Sequence, residues 1–267
     1  MPAQLERPIQ WYPGHMVAAM RRMSEYLKLI DTVVEVVDAR VPRSGRNPDL
    51  LRMIGSRTHL VALNREDLAD PHATKRWLEW FAAKGVSAAA VDGREIGSVT
   101  TLRKTIEDIR RTGKASRALI VGLPNTGKST IVNALLRKGV AKTENRAGVT
   151  RQLQWFKLAP GIELMDTPGI LVPKIATPDA QWKLAISNAV PRDRFDAEEV
   201  VAAFHSWATE HGKTGIPDLE EFARVRGFVR RGGAYDLHNA ATAYMRALNE
   251  GTFGRLTFET VDEPKTT

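Results

Sequence analysis

The chain has 267 residues, contains no cysteine and carries a formal net charge of +8 at neutral pH. Its length allows one large domain and a smaller one, and its hydrophobic fraction of 43% is enough for a sizeable core. The absence of cysteine excludes disulfides and thiolate metal sites and is typical of a reducing compartment. No apolar run approaches the roughly 20 residues that span a bilayer, and the N-terminus lacks a signal core. We therefore expect a cytoplasmic protein without a membrane partner.

The positive charge is concentrated in the middle of the chain. Residues 101–157 hold 13 Lys and Arg against 3 Asp and Glu, whereas residues 180–267 hold 11 against 13. Part of this excess would balance nucleotide phosphates, and the remainder favours a polyanionic partner such as RNA. The alternative is a solvated basic face that has no partner.

The first hundred residues predict alternating helices and strands, the pattern of an α/β fold. They begin with the compact turn Trp11-Tyr12-Pro13-Gly14-His15, in which the residues alone favour an ordinary turn or helix-start role for His15. The predicted helices are Met16–Leu29, Leu50–Ile54, Pro71–Lys84 and Val99–Arg111, and the predicted strands are Thr32–Val37, His59–Leu63 and Val86–Val91.

Two of these strands lead directly into polar loops. The first is followed by Asp38-Ala39-Arg40-Val41-Pro42-Arg43-Ser44, and the second by Asn64-Arg65-Glu66-Asp67. Ligands of open α/β sheets bind at the carboxyl ends of the strands, so both loops are candidates for a ligand site.

A phosphate-binding loop is the most specific motif of the chain. The apolar run Ala118–Val121 predicts a buried strand, and Gly122 to Ser129 fit G-x-x-x-x-G-K-[ST] before a predicted helix at Ser129–Leu136. In such a loop the glycines let backbone N–H groups approach phosphates, Lys128 reaches the β- and γ-phosphates, and Ser129 ligates Mg²⁺. The motif predicts a nucleoside triphosphate with magnesium. The other loop residues assigned to the nucleotide are Asn125, Thr126, Gly127 and Thr130.

A second acidic motif follows the phosphate loop. The segments Leu153–Leu158 and Ile162–Met165 predict a strand hairpin, and the second strand runs into Asp166-Thr167-Pro168-Gly169. At this position Asp166 is suited to hold Mg²⁺ through water, and the Gly169 N–H is suited to contact a γ-phosphate. Thr150, in the polar loop before the hairpin, is a further candidate for the metal shell.

From about residue 178, strand signals fade and helical windows dominate. We place a boundary near residue 175, which gives a domain of residues 1–175 and a helical domain of residues 176–267. We expect the end to fray after about Glu259. The predicted helices are Gln181–Asn188, Ala197–Glu210, Leu219–Val225 and Leu237–Leu248.

The segment Asn64-Arg65-Glu66-Asp67 resembles the N-K-x-D signature that reads guanine. A carboxylate at Asp67 accepts hydrogen bonds from guanine N1–H and N2–H₂, and adenine lacks these donors. Asn64 is assigned to the other edge of the base, and Arg65, which replaces the usual lysine, to its face. Glu66 belongs to the same nucleotide-binding segment, and Asp92 lies where a second base-binding loop is expected.

The motifs occur in an unusual order, because the base-reading segment precedes the phosphate loop and the acidic motif comes last. A circular permutation explains this order, since the termini of a domain usually lie close together. The chain resembles the circularly permuted ribosome-biogenesis GTPases of the RbgA/YlqF family across its first domain, and more weakly at G-T-F-G-R-L-T-F-E in 251–259. Besides N-R-E-D, the matching motifs are W-Y-P-G-H-M at 11–16, D-A-R-V-P-R-S at 38–44, G-L-P-N-T-G-K-S-T at 122–130, A-G-V-T at 147–150 and D-T-P-G-I-L at 166–171.

The resemblance implies a circularly permuted P-loop GTPase domain, with a mainly parallel sheet and helices on both faces, followed by a small all-helical domain. It implies a Mg²⁺-dependent GTP hydrolase that acts on the large ribosomal subunit and contacts ribosomal RNA through its helical domain. GTP and GDP are the expected nucleotides. We expect a monomer with neither a DNA nor a membrane partner.

The residues after the acidic motif change the catalytic expectation. Ile170 and Leu171 stand there, whereas Ras-type enzymes use a glutamine to orient water. The resemblance makes His15 the candidate to orient or deprotonate water. Lys128 of the phosphate loop is the second predicted catalytic residue. It also makes Asn125 a candidate K⁺ ligand, the alternative being an ordinary polar residue of the loop.

Three other functions stay open from the sequence. A ribosome- or RNA-binding scaffold with a structural nucleotide would hydrolyse GTP rarely, which single-turnover hydrolysis with and without large subunits tests. A permuted GTPase of the small subunit is disfavoured, because such relatives carry an N-terminal RNA-binding barrel or zinc site, and only about ten residues precede this domain. An ATPase is disfavoured by Asn64 and Asp67.

Overall fold

The structure, a computed structural model, describes residues 9, 25–108, 116–137, 154–166, 175 and 177–262. Within these residues six strands form one sheet in the order β3-β2-β1-β4-β6-β5. Every neighbouring pair is parallel except β5 and β6, which form the predicted hairpin. The expected mainly parallel sheet is confirmed. The strands are β1 (Thr32–Asp38), β2 (Thr58–Asn64), β3 (Ser87–Val91), β4 (Ser116–Val121), β5 (Gln154–Ala159) and β6 (Ile162–Asp166).

Eight α-helices lie within the described residues, and none of them is both long and apolar enough to cross a membrane. Four alternate with the strands, namely α1 (Pro48–Ile54), α2 (Pro71–Ala83), α3 (Ile96–Asp108) and α4 (Lys128–Arg137). Four follow the sheet, namely α5 (Pro178–Ile186), α6 (Ala197–Glu210), α7 (Leu219–Arg226) and α8 (Leu237–Asn249). Of the helix predicted at Met16–Leu29, the structure describes residues 25–29, and residues 25–27 are helical.

The central strand β1 is buried along its whole length, because helices cover both faces of the sheet. Side chains of a strand alternate between the two faces. Val34 and Val36 pack with α3 and α4, whereas Val33 packs with α1 and Val37 with α2 on the opposite face. The α/β class with helices on both faces, expected from the resemblance, is therefore confirmed.

The helical region has an aromatic core that continues into the sheet unit. Ring centroids of the four central aromatic residues lie 5.4 to 6.5 Å apart. Val41 and Leu123, from loops that follow β1 and β4, belong to the same buried cluster. The helical region is present as expected, while the boundary near residue 175 stays a prediction. The four aromatic residues are Trp182, Phe204, Trp207 and Phe258.

Residues 255–262, here called the return segment, run from α8 back across the sheet unit. The backbone N–H of Leu256 donates to Leu68 O at 2.8 Å, and that of Phe258 donates to Arg40 O at 2.8 Å. The carbonyl oxygens of Thr260 and Val261 accept from Arg43 Nη2 at 3.2 and 3.0 Å. The predicted fraying after Glu259 is therefore wrong for these two residues, because an arginine side chain holds their carbonyls.

Candidate nucleotide site

The phosphate loop follows β4 at the point where the order of the strands reverses. Strands β1 and β4 are neighbours, with β2 and β3 on one side and β6 and β5 on the other. Such a point in an open parallel sheet leaves a crevice at the carboxyl ends of the strands. Gly122 has a φ of 150°, and a Cβ there would lie 2.2 Å from Val36 O. Gly127 has a φ of 90°, and a Cβ there would lie 2.2 Å from Asn64 Nδ2. Both glycines of the motif are thus explained by positive φ and close contact.

Lys128 lies inside the loop at the first position of α4. Its buried ammonium donates to Leu123 O at 2.7 Å. Burial lowers the pKa of Lys128 to about 8, although the charge of Asp166 opposes this shift. Phosphate oxygens are stronger acceptors than a carbonyl because they are charged, so a phosphate bound here would favour the ammonium form.

Two oxygen donors meet where α4 begins and β6 ends. Ser129 Oγ donates to Asp166 Oδ2 at 3.4 Å, and Asp166 is 4% exposed. Hydroxyl and carboxylate oxygens fit Mg²⁺, which usually binds one or two protein groups together with substrate phosphates. Within the described residues no group of three or more His, Cys, Asp or Glu side chains could hold a metal, so Ser129 and Asp166 stay a predicted pair of ligands.

Asn64 joins the base-reading segment to both neighbouring loops. Its Nδ2 donates to Thr126 O at 2.7 Å, and its Oδ1 accepts from the Gly93 N–H at 3.0 Å. The residue is 3% exposed. Both ends of this amide are therefore used within the protein to position the phosphate loop against the loop after β3. The predicted contact between Asn64 and the edge of a base stays a prediction.

Arg65 connects three parts of the molecule from a left-handed backbone conformation with φ of 62°. Its guanidinium donates to Asp38 Oδ2 at 3.0 Å, to Asn125 O at 2.7 Å and to Ser187 O at 3.4 Å. It thereby links the end of β1, the phosphate loop and the helical region. The planar head, predicted to lie over the base, is held here by these oxygen atoms.

A buried ion pair between Arg40 and Asp38 holds the carboxylate that Arg65 contacts. Arg40 Nε and Nη2 donate to the Asp38 carboxylate at 3.0 and 2.8 Å, and Nη2 also donates to Asn249 Oδ1 at 2.9 Å. Arg40 is 1% exposed. Burial raises the pKa of Asp38, but the charges of Arg40 and Arg65 outweigh it and hold the pKa below 3.8. The sequence predicts a ligand loop here but not this ion pair, although the D-A-R motif contains both partners.

Asp67, the predicted reader of the base, and Asp92, in the expected second base-binding loop, lie on either side of one arginine. Arg94 Nη2 contacts Asp67 Oδ2, and Arg94 Nε lies 3.2 Å from Asp92 Oδ1. Asp67 Oδ1 is buried and has no hydrogen-bond partner within the described structure. Hydrogen bonding to Asp92 raises the pKa of Arg94. Glu66 lies beside them and accepts a hydrogen bond from Ser98 Oγ at 3.1 Å.

Asn125 is the point at which the phosphate loop contacts the helical region. Its Nδ2 donates to Asn188 O at 2.9 Å. Both residues have positive φ, 56° for Asn125 and 67° for Asn188. A K⁺ ion would bind the amide oxygen of Asn125, whereas the contact with Asn188 uses the amide nitrogen. The K⁺ ligand therefore stays a prediction. Thr126, in the same loop, is buried, and Thr130, in the first turn of α4, is exposed.

The return segment holds the base-reading loop by its backbone. Arg255 Nε donates to Ala69 O at 2.8 Å and Arg255 Nη2 donates to Glu66 O at 2.6 Å. The backbone N–H of Asp70 donates to Thr257 Oγ1 at 3.1 Å. Sequence reasoning did not assign these residues to the site, and its one signal was the weaker family resemblance at 251–259.

Contacts within the described structure bring most predicted site residues close to one another near the carboxyl ends of the strands. Three predicted residues, His15, Thr150 and Gly169, lie outside the described residues. The residues brought together are Asn64, Arg65, Glu66, Asp67, Asp92, Asn125, Thr126, Gly127, Lys128, Ser129, Thr130 and Asp166.

The chain is similar to known GTPases over most of its length. Residues 117–218, from β4 into the helical region, match the family of 50S ribosome-binding GTPases. Ribosome biogenesis GTPase A of Priestia megaterium is 36% identical, covering 96% of this chain and 98% of its own length. Ribosome biogenesis GTPase A of Thermotoga maritima is 36% identical over 94% of each chain.

Solved structures show the same fold. A GDP-bound YlqF superimposes with a TM-score of 0.73 at 33% identity, covering 91% of this chain and 100% of that one. A GNP-bound YlqF from T. maritima gives a TM-score of 0.70 at 34% identity, covering 91% and 98%.

Proposed function

The chain belongs to the ribosome biogenesis GTPase A family, and we propose that its GTPase activity serves the assembly of the large ribosomal subunit. Residues 117–218 carry this assignment, because they match GTPases described as binding the 50S particle, which is the large bacterial subunit. The basic excess in residues 101–157 supports a partner rich in RNA. A cytoplasmic monomer without DNA or membrane partners belongs to the same proposal.

Guanine is the base proposed for the crevice. Asp67 Oδ1 is buried without a hydrogen-bond partner in the described structure, which is costly unless a ligand supplies a donor. Guanine N1–H and N2–H₂ supply two donors to one carboxylate, and adenine supplies none at these positions. Asn64 and Arg65 then act by holding the phosphate loop and the base-reading loop in register.

The phosphates and the metal are assigned to the loop that starts α4. Lys128 and the loop N–H groups bind the β- and γ-phosphates, as their burial and position allow. Ser129 and Asp166 hold Mg²⁺, which when bound neutralises charge on the β- and γ-phosphate oxygens. Thr150 and Gly169 complete the metal shell and the γ-phosphate contact in this proposal.

Hydrolysis needs a polar side chain that orients water. Ile170 and Leu171, which follow the acidic motif, have apolar side chains that cannot do this. We assign this role to His15, because an imidazole side chain is suited to act as a general base near neutral pH. Asn125 is assigned a K⁺ ion, whose charge would replace an arginine finger at the phosphates. Replacing K⁺ by Na⁺ at constant ionic strength tests that ion.

We propose that the helical region, residues 176–267, transmits the difference between the GTP-bound and GDP-bound states to the ribosome. The phosphate loop contacts this region at Asn188 through Asn125, and Arg65 contacts it at Ser187. A change in the loop on hydrolysis would therefore act directly on the helices. The exposed arginines of the helical region are suited to ribosomal RNA phosphates. They include Arg224, Arg226, Arg230 and Arg231.

The experiment is co-sedimentation with purified large and small subunits in GDP, GTP and a non-hydrolysable GTP analogue. We expect retention on large subunits in the triphosphate states only, together with faster single-turnover hydrolysis in their presence. Retention on small subunits, or no dependence on nucleotide, would contradict the proposal. Hydrolysis that large subunits do not stimulate would favour the scaffold with a structural nucleotide.

The role of His15 is tested in the same assay. The His15→Ala variant should bind GTP normally and lose stimulated hydrolysis. Equal turnover in variant and wild type would exclude His15 as the water-orienting residue.

A further inference from the structure

We propose that Arg94 competes with guanine for Asp67, so that it occupies the base-reading carboxylate before the nucleotide binds and leaves it when the base enters. This inference rests on the proposed function, because it takes Asp67 as the reader of guanine. Arg94 then sets the affinity and the exchange rate of the nucleotide without contacting phosphate or metal.

The loop after β3 delivers Arg94 to this position. The preceding residue, Gly93, donates its N–H to Asn64 Oδ1 at 3.0 Å, which fixes the loop against the base-reading segment. The backbone N–H of Arg94 donates to Asp92 Oδ1 at 2.9 Å, and its Nε lies 3.2 Å from the same oxygen. With its stem held by Asp92, the guanidinium contacts Asp67 Oδ2 through Nη2.

A guanidinium and a guanine edge are alternatives for one carboxylate. Each presents a planar pair of N–H donors, which is the geometry that a carboxylate accepts. Both donate to Asp67 Oδ2, so in this proposal the Arg94 contact and the base contact compete there. The described structure satisfies Oδ2 with Arg94 and leaves Oδ1 buried without a partner. Guanine would donate to both oxygens, which favours the base over the single Arg94 contact.

The exposure of the two side chains indicates the strength of the ion pair between Arg94 and Asp67. The side chain of Arg94 is 67% exposed and that of Asp67 is 28% exposed. Ion pairs in such surroundings are screened by water and salt and shift an equilibrium by only about twofold to fivefold. The pair is thus weak enough to yield to a nucleotide and strong enough to reduce its affinity.

The test measures dissociation constants of GDP and GTP for wild type and for Arg94→Ala, at low and at high salt. We expect the variant to bind both nucleotides about twofold to fivefold more tightly at low salt, with a smaller gain at high salt. Loss of a positive charge alone would weaken binding of an anionic nucleotide, so the expected change has the opposite sign. Equal or weaker binding by Arg94→Ala would overturn the proposal.

Two further variants make the result specific. Arg52→Ala removes an arginine that is 79% exposed and paired with Asp49 on α1, and it should leave both constants unchanged. In an Asp67→Asn background Arg94→Ala should give no gain, because the contested carboxylate is gone. A gain that persists in that background would show that Arg94 acts elsewhere.

Dissociation constants of ADP and ATP, measured for wild type and Asp67→Asn in the same assay, separate this inference from the function on which it rests. If wild type does not prefer guanine to adenine nucleotides, or if Asp67→Asn leaves the preference unchanged, the base-reading assignment is wrong. If the preference depends on Asp67 while Arg94→Ala does not tighten binding, only the competition is wrong.

Discussion

Replacing Arg40 by alanine is expected to destabilise the protein by about 3–5 kcal/mol, the usual effect of breaking a buried ion pair by removing one partner. Arg40 and Asp38 have side chains that are 1% and 4% exposed. Without Arg40 the Asp38 carboxylate keeps one cation, Arg65, whose side chain is 26% exposed. Asn249 Oδ1, which accepts from Arg40 at 2.9 Å, loses that donor as well.

A lysine at the same position provides a graded comparison. Arg40→Lys keeps the charge but has a single ammonium in place of the planar fork that reaches both Asp38 and Asn249. One unmade buried hydrogen bond costs about 1–3 kcal/mol, so the lysine variant should lie between wild type and Arg40→Ala.

The assay is urea unfolding followed by tryptophan fluorescence and far-UV circular dichroism. A lower midpoint with an unchanged m-value would show that the variant has lost stability. The control, Arg52→Ala, removes an exposed arginine and should stay within about 0.5 kcal/mol of wild type. A loss below about 1 kcal/mol for Arg40→Ala, or a lysine variant as stable as wild type, would refute the reasoning.

Three other outcomes are expected. Asp67→Asn should relax guanine selectivity towards xanthine nucleotides in competition binding, because an amide cannot accept both base N–H groups; unchanged selectivity would exclude Asp67 as the reader. Gly127→Ala should lower nucleotide affinity about tenfold by pushing away Asn64 Nδ2, whereas Gly85→Ala, also at positive φ but with open space around it, should leave affinity unaltered. Burial raises the pKa of Glu35, but His59 and Arg46 outweigh it and hold the pKa below 4.5. This stabilisation is complete above pH 4.5 and is lost as pH falls through the lowered pKa, so Arg46→Met should flatten the acid limb of stability against pH; an identical acid limb would contradict this.

The elements that the sequence predicts best are those whose signals are local. Thr32–Val37 and Ala118–Val121 are apolar runs next to polar loops, and they lie within the observed strands Thr32–Asp38 and Ser116–Val121. The phosphate loop is equally recognisable because its fixed motif positions lie within eight consecutive residues, although its two glycines also answer to the distant Val36 O and Asn64 Nδ2. Sequence alone therefore places the strands and the centre of the site.

Helix ends are less well predicted, and α5 shows the reason. The sequence predicts Gln181–Asn188, whereas the helix is Pro178–Ile186. Thr177 accepts the Ala180 N–H as an N-cap and Pro178 occupies the first turn, two start signals that hydrophobic periodicity does not contain. At the other end Asn188 has a φ of 67°, which is incompatible with a continuing helix.

The rest of the site depends on contacts that spacing along the chain cannot reveal. Arg65 is predicted from its motif, but its bonds to Asp38 and Ser187 come from segments 27 and 122 residues away. Asn64 shows the same limit, since its partner Thr126 lies 62 residues further along the chain. The motif identifies each residue, but its contacts with distant segments can be seen only in the folded structure.

The return segment has a consequence for how the chain acquires its nucleotide site. Its bonds to the base-reading loop and to α2 join residues that are 182 to 189 positions apart. Contacts of such high sequence separation form late and slowly, because a long loop must close before they contribute. Because the return segment comes near the end of the chain, the base-reading loop is synthesised well before the residues that hold its backbone. Guanine nucleotide binding during refolding should appear only after the helical region has folded, so it reports completion of the whole chain.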